Sequence, residues 1–350
     1  MLFKSLCMCV LPSMLLAQTN WAWLDGKNIQ SLEGKGFADT ESFYDRLPAR
    51  AQRTVPSPVW NIAQNSSGMA FHFSTDAARF AVRWILKSPQ LAMPHMPATG
   101  VSGIDVYARR DHVWNFVCNG RPFGITNTLE VSLSPNTECL IYLPTYNGLV
   151  QFEIGLPHTT NTVTPRVWKT KKPVVIYGTS ITQGACASRP GMAFTAIMGR
   201  IADAPVINLG FSGNGKMELA LCDMIAEIDA SMYVLDCLWN MNDALVKERA
   251  EPFIRALHKQ HPETPILLAE DCNPWNRQSS KAKCLQTLYE TLKAEDPKGW
   301  NNLHYLPATG MLGDDGETTV DNCHPNDLGM WRQGHVFGAK IKAILDTAQH

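Results

Sequence analysis

Between about Gly68 and Leu156 apolar and polar positions alternate with a period of two. In "RFAVRWIL" the residues Phe80, Val82, Trp84 and Leu86 fall on one side. "LEVSLSP" and "LVQFEIGLP" continue the alternation through Leu129, Val131 and Leu133, and through Val150, Phe152 and Ile154. This spacing predicts strands with one buried face. Turn formers in "NSSG", "CNGRP", "SPNTE" and "YNG" break the runs at short intervals, so the expected architecture is an antiparallel β-sandwich. From His158 to Pro173 the chain turns polar, with Pro165 and "KTKKP", and reads as a linker.

Beyond Pro173 short apolar strands, "PVVIYG", "PVINLG", "MYVLDCL", "PILLAE" and "LHYLPA", are separated by helix-length segments. Met217, Leu221, Met224, Ile225 and Ile228 form one helical stripe, and Phe194, Ile197, Met198 and Ile201 another. Strands alternating with helices predict a parallel sheet covered on both faces, whose ligands lie beyond the carboxyl ends of the strands. The expected division is a leader over residues 1–17, a sandwich over 18–160, a linker over 161–173 and an α/β domain over 174–350.

The leader rests on "MLFKSLCMCVLPSMLLAQ", with a positive charge at Lys4, an apolar core from Leu6 to Leu16 and the small residue Ala17. That is a signal-peptide layout, predicting cleavage near Ala17 and a secreted or periplasmic protein. No other run approaches the ~18 apolar residues of a membrane span, so no integral membrane segment is expected after cleavage. Cys7 and Cys9 do not follow the predicted cut, which disfavours lipid attachment there.

With 350 residues, 45% of them hydrophobic and 18% charged, the chain can bury a full core, and its length suits two domains. Thirty-one basic residues against 32 acidic ones leave no field to steer a polyanion, so nucleic acid is not an expected partner. Eight cysteines follow the leader without any C-x-x-C pair, as expected of buried small apolar residues. Cys186 and Cys323 flank the motifs below, which leaves a bridge between them open, although spacing does not determine connectivity.

Four loops at the carboxyl ends of the strands carry the chemistry. Ser180 follows the first strand, in "VVIYGTSITQG"; "NLGFSGNG" after the second supplies Gly210, Gly213 and Gly215; "LDCLWNMND" after the third supplies Asn240 and Asn242; "TVDNCHPND" after the last supplies Asp321 and His324. That inventory fits acyl transfer. A serine hydroxyl needs an adjacent base, for which His324 is the candidate. Asp321 would fix the imidazole tautomer and stabilise the imidazolium. Negative charge on the tetrahedral intermediate needs donors, for which the N–H groups of Ser180 and Gly213 and the amide of Asn240 are the candidates. Asn242 competes with Asn240, which is preferred because it directly follows the apolar run.

"GTSITQG", the glycine of "FSGNG", the asparagine of "CLWN" and "DNCHP" resemble, in order, the four blocks of the SGNH (GDSL-type) hydrolases. The resemblance implies a flavodoxin-like three-layer fold and metal-free ester hydrolysis, with Ser180 as nucleophile, Gly213 and Asn240 as oxyanion partners, and Asp321 and His324 as acid and base. The acid that often precedes the family's serine is Thr179 here, so any bracing by that acid must be supplied otherwise. A sandwich in front of such a domain resembles secreted bacterial two-domain carbohydrate esterases with a jelly-roll-like first domain. That implies an acylated carbohydrate or another small ester as substrate and an acetylesterase-like activity.

Arg189 and Glu270 are further candidates for substrate contact, and Asp271 ends the same strand as Glu270. "GDDGE" lacks the spaced ligands of a calcium loop, so neither metal nor cofactor is expected. Trp60, Trp84 and Trp114 are candidates for sugar stacking, with core packing as the plainer role. Three other readings compete. A lysophospholipase or thioesterase would want a wide apolar acyl channel, and no long apolar insertion follows the serine. An inactive carbohydrate-binding protein would have no use for intact Ser180, Asp321 and His324. A phosphate- or flavin-binding module would have none for the Asp-x-x-His pair.

Overall fold

The computed structural model describes residues 20–166, 172–273 and 278–348, and the expected signal peptide lies outside them. Ten strands form the sandwich: β1 (Ala22–Asp25), β2 (Leu32–Glu33), β3 (Ala70–Thr75), β4 (Arg79–Leu86), β5 (Ile104–Arg110), β6 (Val113–Gly120), β7 (Thr126–Ser132), β8 (Glu138–Tyr142), β9 (Leu149–Leu156) and β10 (Val163–Pro165). They pair antiparallel in two sheets, ordered β1-β9-β4-β7 and β10-β3-β8-β5-β6, with β2 against β3. The inward residues of the alternating runs meet between the sheets, among them Phe71, Phe80, Val82, Trp84, Phe152 and Ile154. Phe71 and Phe152 stack with ring centroids 4.1 Å apart.

Two expectations need correction here. Val150 does not share the buried side of Phe152 and Ile154 but is 53% exposed. Ile85 pairs with Gln151 and Leu86 with Leu149, so Val150 is the extra residue of a β-bulge and turns outward. Residues 163–165, read as part of a linker, instead extend a sheet edge as β10 against β3. The β-branched Val163 and Thr164 suit a strand, and a proline is tolerated on an edge.

The second half holds five parallel strands: β11 (Val174–Gly178), β12 (Val206–Gly210), β13 (Met232–Asp236), β14 (Ile266–Ala269) and β15 (Leu303–Leu306). Their order, β12-β11-β13-β14-β15, is the flavodoxin-like 2-1-3-4-5 arrangement. The α-helices among the described residues are α1 (Ser57–Ala63), α2 (Ala98–Val101), α3 (Ser180–Gln183), α4 (Phe194–Ala202), α5 (Leu219–Ala226), α6 (Asp243–Gln260), α7 (Ser280–Glu295) and α8 (Asp327–Ala348). Both faces of the sheet are covered, which is why β11 is buried at every position. Val174 and Ile176 face α4 and α8 through Phe194, Met198 and Phe337. Val175 and Tyr177 face the layer built by α5, α6 and α7.

That second layer draws on the N-terminal half. Phe37, Leu47, Val55, Val59, Trp60 and Ala63 all lie in the core cluster on the α5–α7 side of the parallel sheet. They belong to the excursion between β2 and β3, so residues expected in the sandwich over 18–160 serve the α/β core as well. Trp60 and Trp84 are accordingly core residues. No helix among the described residues is long and apolar enough to cross a membrane.

Candidate active site

Ser180 opens α3 at the turn where β11 ends. Small polar side chains fix that turn. Thr182 Oγ1 accepts the Thr179 N–H at 3.2 Å, and its hydroxyl donates to Asp236 Oδ2 at 2.7 Å. Thr179 Oγ1 accepts the Ile181 N–H at 3.4 Å. Burial pushes the Asp236 carboxyl up to about 7; the Thr182 hydrogen bond opposes this and the nearby Asp271 adds to it. Bracing by an acid ahead of the serine, absent at Thr179, is thus replaced by a threonine and an aspartate at the end of β13.

Ser180, Asp321 and His324 come together although 144 positions separate the serine from the imidazole. Ser180 Oγ lies 2.8 Å from His324 Nε2. His324 Nδ1 lies 2.7 Å from Asp321 Oδ2. The other carboxylate oxygen accepts the backbone N–H groups of His324 at 2.7 Å and Cys323 at 3.1 Å. Burial alone would raise the Asp321 pKa, but the hydrogen bonds from His324 and Cys323 and the His324 charge outweigh it and hold the carboxyl below its usual range. Ser180 is 7% exposed, while the side chains of His324 and Asp321 are 21% and 41% exposed. The line of three groups therefore opens at the surface. An exposed imidazole from the sandwich, His95, stands beside it with its ring centroid 6.0 Å from that of His324.

The loop after β12 passes the same point. Gly213 has φ +70°, a conformation that favours glycine, and faces open space. Among the described residues its N–H has no hydrogen-bond partner. Both neighbours are tied down: the Ser212 N–H donates to Gln183 Oε1 at 3.0 Å, and the Asn214 carbonyl accepts from Asn240 Nδ2 at 2.6 Å. Asn242 is elsewhere engaged, as the N-cap of α6, where its Oδ1 accepts the Leu245 N–H at 2.9 Å. Asn240 is thus the amide that reaches this loop.

Arg189 and Glu270 are not brought to the serine. Arg189 turns to the sandwich, donating to Asp105 Oδ2 at 2.7 Å and Tyr107 OH at 2.8 Å, with its guanidinium 3.9 Å from the Phe116 ring centroid. Glu270 is buried and accepts from Tyr305 OH at 2.7 Å, Gln278 Nε2 at 2.8 Å and the Ala308 N–H at 2.9 Å. Asp271 holds Ser279, the N-cap of α7, at 2.7 Å and Lys281 at 3.3 Å.

Cys186 and Cys323 are free thiols rather than a bridge. Burial, with the negative charge of Asp321 nearby, pushes Cys186 to about 12 and Cys323 to about 11, so both stay protonated at neutral pH. Among the described residues Asp321, Cys323 and His324 place ligand atoms within 4.8 Å of one another. Both imidazole nitrogens already serve Asp321 and Ser180, so as arranged the group presents no free imidazole lone pair to a cation. Sequence reasoning missed Thr182, Gln183 and Asp236. Thr182 and Gln183 stand inside the serine block, where the Thr-x-x-Thr spacing of a helix cap was the available signal.

Two family models match the chain. The GDSL-like lipase/acylhydrolase family covers residues 171–342, and the N-terminus of esterases of the SGNH hydrolase type covers residues 21–162. Among solved structures, one described as a GDSL-like lipase from Bacteroides ovatus ATCC 8483 is 33% identical, with a TM-score of 0.81 over 93% of this chain and 98% of that one. A salicylyl-acyltransferase from a tetracycline biosynthetic pathway is 17% identical, with a TM-score of 0.70 over 93% and 97%. A family two carbohydrate esterase from Cellvibrio japonicus is 13% identical, with a TM-score of 0.59 over 93% and 98%. The last two show likeness of fold alone. No curated protein matches the chain.

Proposed function

The chain belongs to the GDSL-like lipase/acylhydrolase family and is a hydrolase of ester bonds, and from that premise we propose that it removes acetyl or other short acyl groups from carbohydrates outside the cytoplasm. The observation that carries the mechanism is the unbroken hydrogen-bonded line from Asp321 through His324 to Ser180. Ser180 Oγ attacks the ester carbonyl carbon while His324 Nε2 takes its proton. Asp321 holds Nδ1–H and stabilises the imidazolium. The carbonyl oxygen becomes an oxyanion held by the N–H groups of Ser180 and Gly213 and by the remaining amide hydrogen of Asn240. His324 then protonates the departing alcohol, and a water activated by the same imidazole hydrolyses the acyl-serine.

A carbohydrate substrate is supported by the exposure of Asp321 and His324, since a bulky alcohol can stay in solvent while its acyl group reaches Ser180. The two-domain likeness to a family two carbohydrate esterase points the same way at the level of fold. Export belongs to the same proposal and rests on the leader over residues 1–17. The test is hydrolysis of p-nitrophenyl acetate, longer p-nitrophenyl esters and acetylated polysaccharides by the mature protein, Ser180→Ala and His324→Ala. Acetate turnover lost in both variants is expected. A preference for long chains would favour a lipid substrate, and turnover that survives Ser180→Ala would overturn the site.

A further inference from the structure

Gly213 stands between two anchors, and one of them leads back to the N-terminal half. Gln183, the last residue of α3, is fully buried. Its Oε1 accepts the Ser212 N–H at 3.0 Å, and its Nε2 donates to Asn65 Oδ1 at 3.1 Å and the Thr145 carbonyl at 3.1 Å. A backbone donor on one side and a carbonyl acceptor on the other leave the amide a single orientation. Asn65 and Thr145 both come from the N-terminal half.

The carbonyls leading into the same loop are held from that half too. Arg46, buried and without a carboxylate partner among the described residues, donates to the Gly210 carbonyl at 2.6 Å and the Asn208 carbonyl at 3.2 Å. It also donates to the Ile62 and Asn65 carbonyls at the end of α1, at 2.9 and 3.0 Å. A cation there also meets the negative end of the α1 dipole. Burial brings the guanidinium down to about 9, which leaves it charged at neutral pH. It lies 4.9 Å from the Phe211 ring centroid.

We propose that Gln183, held by Asn65 and Thr145, is a positioning residue for Gly213, so that the N-terminal half sets the place of an oxyanion donor of the hydrolase. The inference rests on the proposed role of the Gly213 N–H. An oxyanion donor works only at the place where charge develops, and losing one altogether costs about 10²–10³ in kcat. Releasing Ser212 lets Gly213, which has no side chain to restrain it, sample other positions. The loss falls on kcat, because the ground-state ester does not need that donor.

The experiment compares p-nitrophenyl acetate kinetics and melting temperatures of the full mature chain with those of Gln183→Met, Asn65→Ala and Ser180→Ala. Methionine keeps the length of Gln183 without the acceptor for Ser212. Expected are a kcat at least tenfold lower for Gln183→Met with KM within about twofold, and a kcat about fivefold lower for Asn65→Ala, whose hydrogen bond is a neutral one. Wild-type kcat in folded Gln183→Met, or losses that only follow the folded fraction or KM, would overturn the proposal. Should Gln183→Met not fold, Asn65→Ala at its partly exposed position decides alone, and wild-type kcat there overturns it. Turnover retained by Ser180→Ala would instead overturn the site on which the proposal rests, a separate result.

Discussion

The most exposed member of the Asp321–His324–Ser180 line is the carboxylate, which accepts three hydrogen bonds within its own loop. Asp321→Asn keeps the shape but can present an N–H where Nδ1–H must donate, favouring the wrong tautomer. A kcat lower by roughly a thousandfold or more is expected with little change in KM for p-nitrophenyl acetate. Asp236 offers a test by pH. Its folded pKa of about 7 exceeds the ~3.9 of an unfolded aspartate, so its contribution to stability is fully present below about pH 4 and is lost as pH rises through 7. The change is on the order of a few kcal/mol. Melting curves should show Asp236→Asn gaining on the wild type between pH 5 and pH 8, and a constant difference would refute the assignment. Ser180 was legible in the sequence because it follows a strand end, and Asp321 and His324 because they form an Asp-x-x-His pair in the segment after the last strand. Asp236 was not, because it reads as the last residue of an apolar strand and gains its role only from the Thr182 hydroxyl above it.

Among the elements, the parallel strands were legible as short runs that are mostly apolar, because burial on both faces of β11, β13 and β14 leaves few polar positions to blur them. The bulge at Val150 was not, because one extra residue keeps the alternation of the sequence while changing which face it meets. Helix α3 is only four residues long, and its place depends on the neighbouring strand. A methyl group on Gly210 would stand 2.2 Å from the Gln183 nitrogen and 2.7 Å from the Thr182 carbonyl carbon, both backbone atoms. Gly210→Ala should therefore move α3 and cost on the order of 3 kcal/mol by overpacking, read as a lower urea midpoint together with a lower kcat.

At the scale of the molecule, the halves are joined by a buried charge as well as by apolar packing. Asp105 is fully buried and pairs with Arg189, with Asn119 and the Gly191 N–H as further donors. Burial pushes its carboxyl up, against the pull of Arg189 and of these donors. Arg189→Ala would strand the carboxylate and should cost about 3 kcal/mol near pH 8. The cost should shrink as pH falls, because burial favours the protonated acid once the guanidinium is gone; a loss of melting temperature that does not change on acidification would contradict this. The contact was invisible in the sequence because Asp105 and Arg189 stand 84 positions apart in different halves.

The excursion between β2 and β3, whose apolar side chains lie in the α/β core, bears on how such a chain can be inherited. A recombination just ahead of β11 would transfer the serine, the histidine and the five parallel strands, yet leave behind Trp60, Val59 and Leu47 from one hydrophobic layer and Arg46 from the carbonyls that lead into the Gly213 loop. The transplanted gene fragment would encode a hydrolase with one flank uncovered. The unit that can be transferred with that layer intact is the two-part chain.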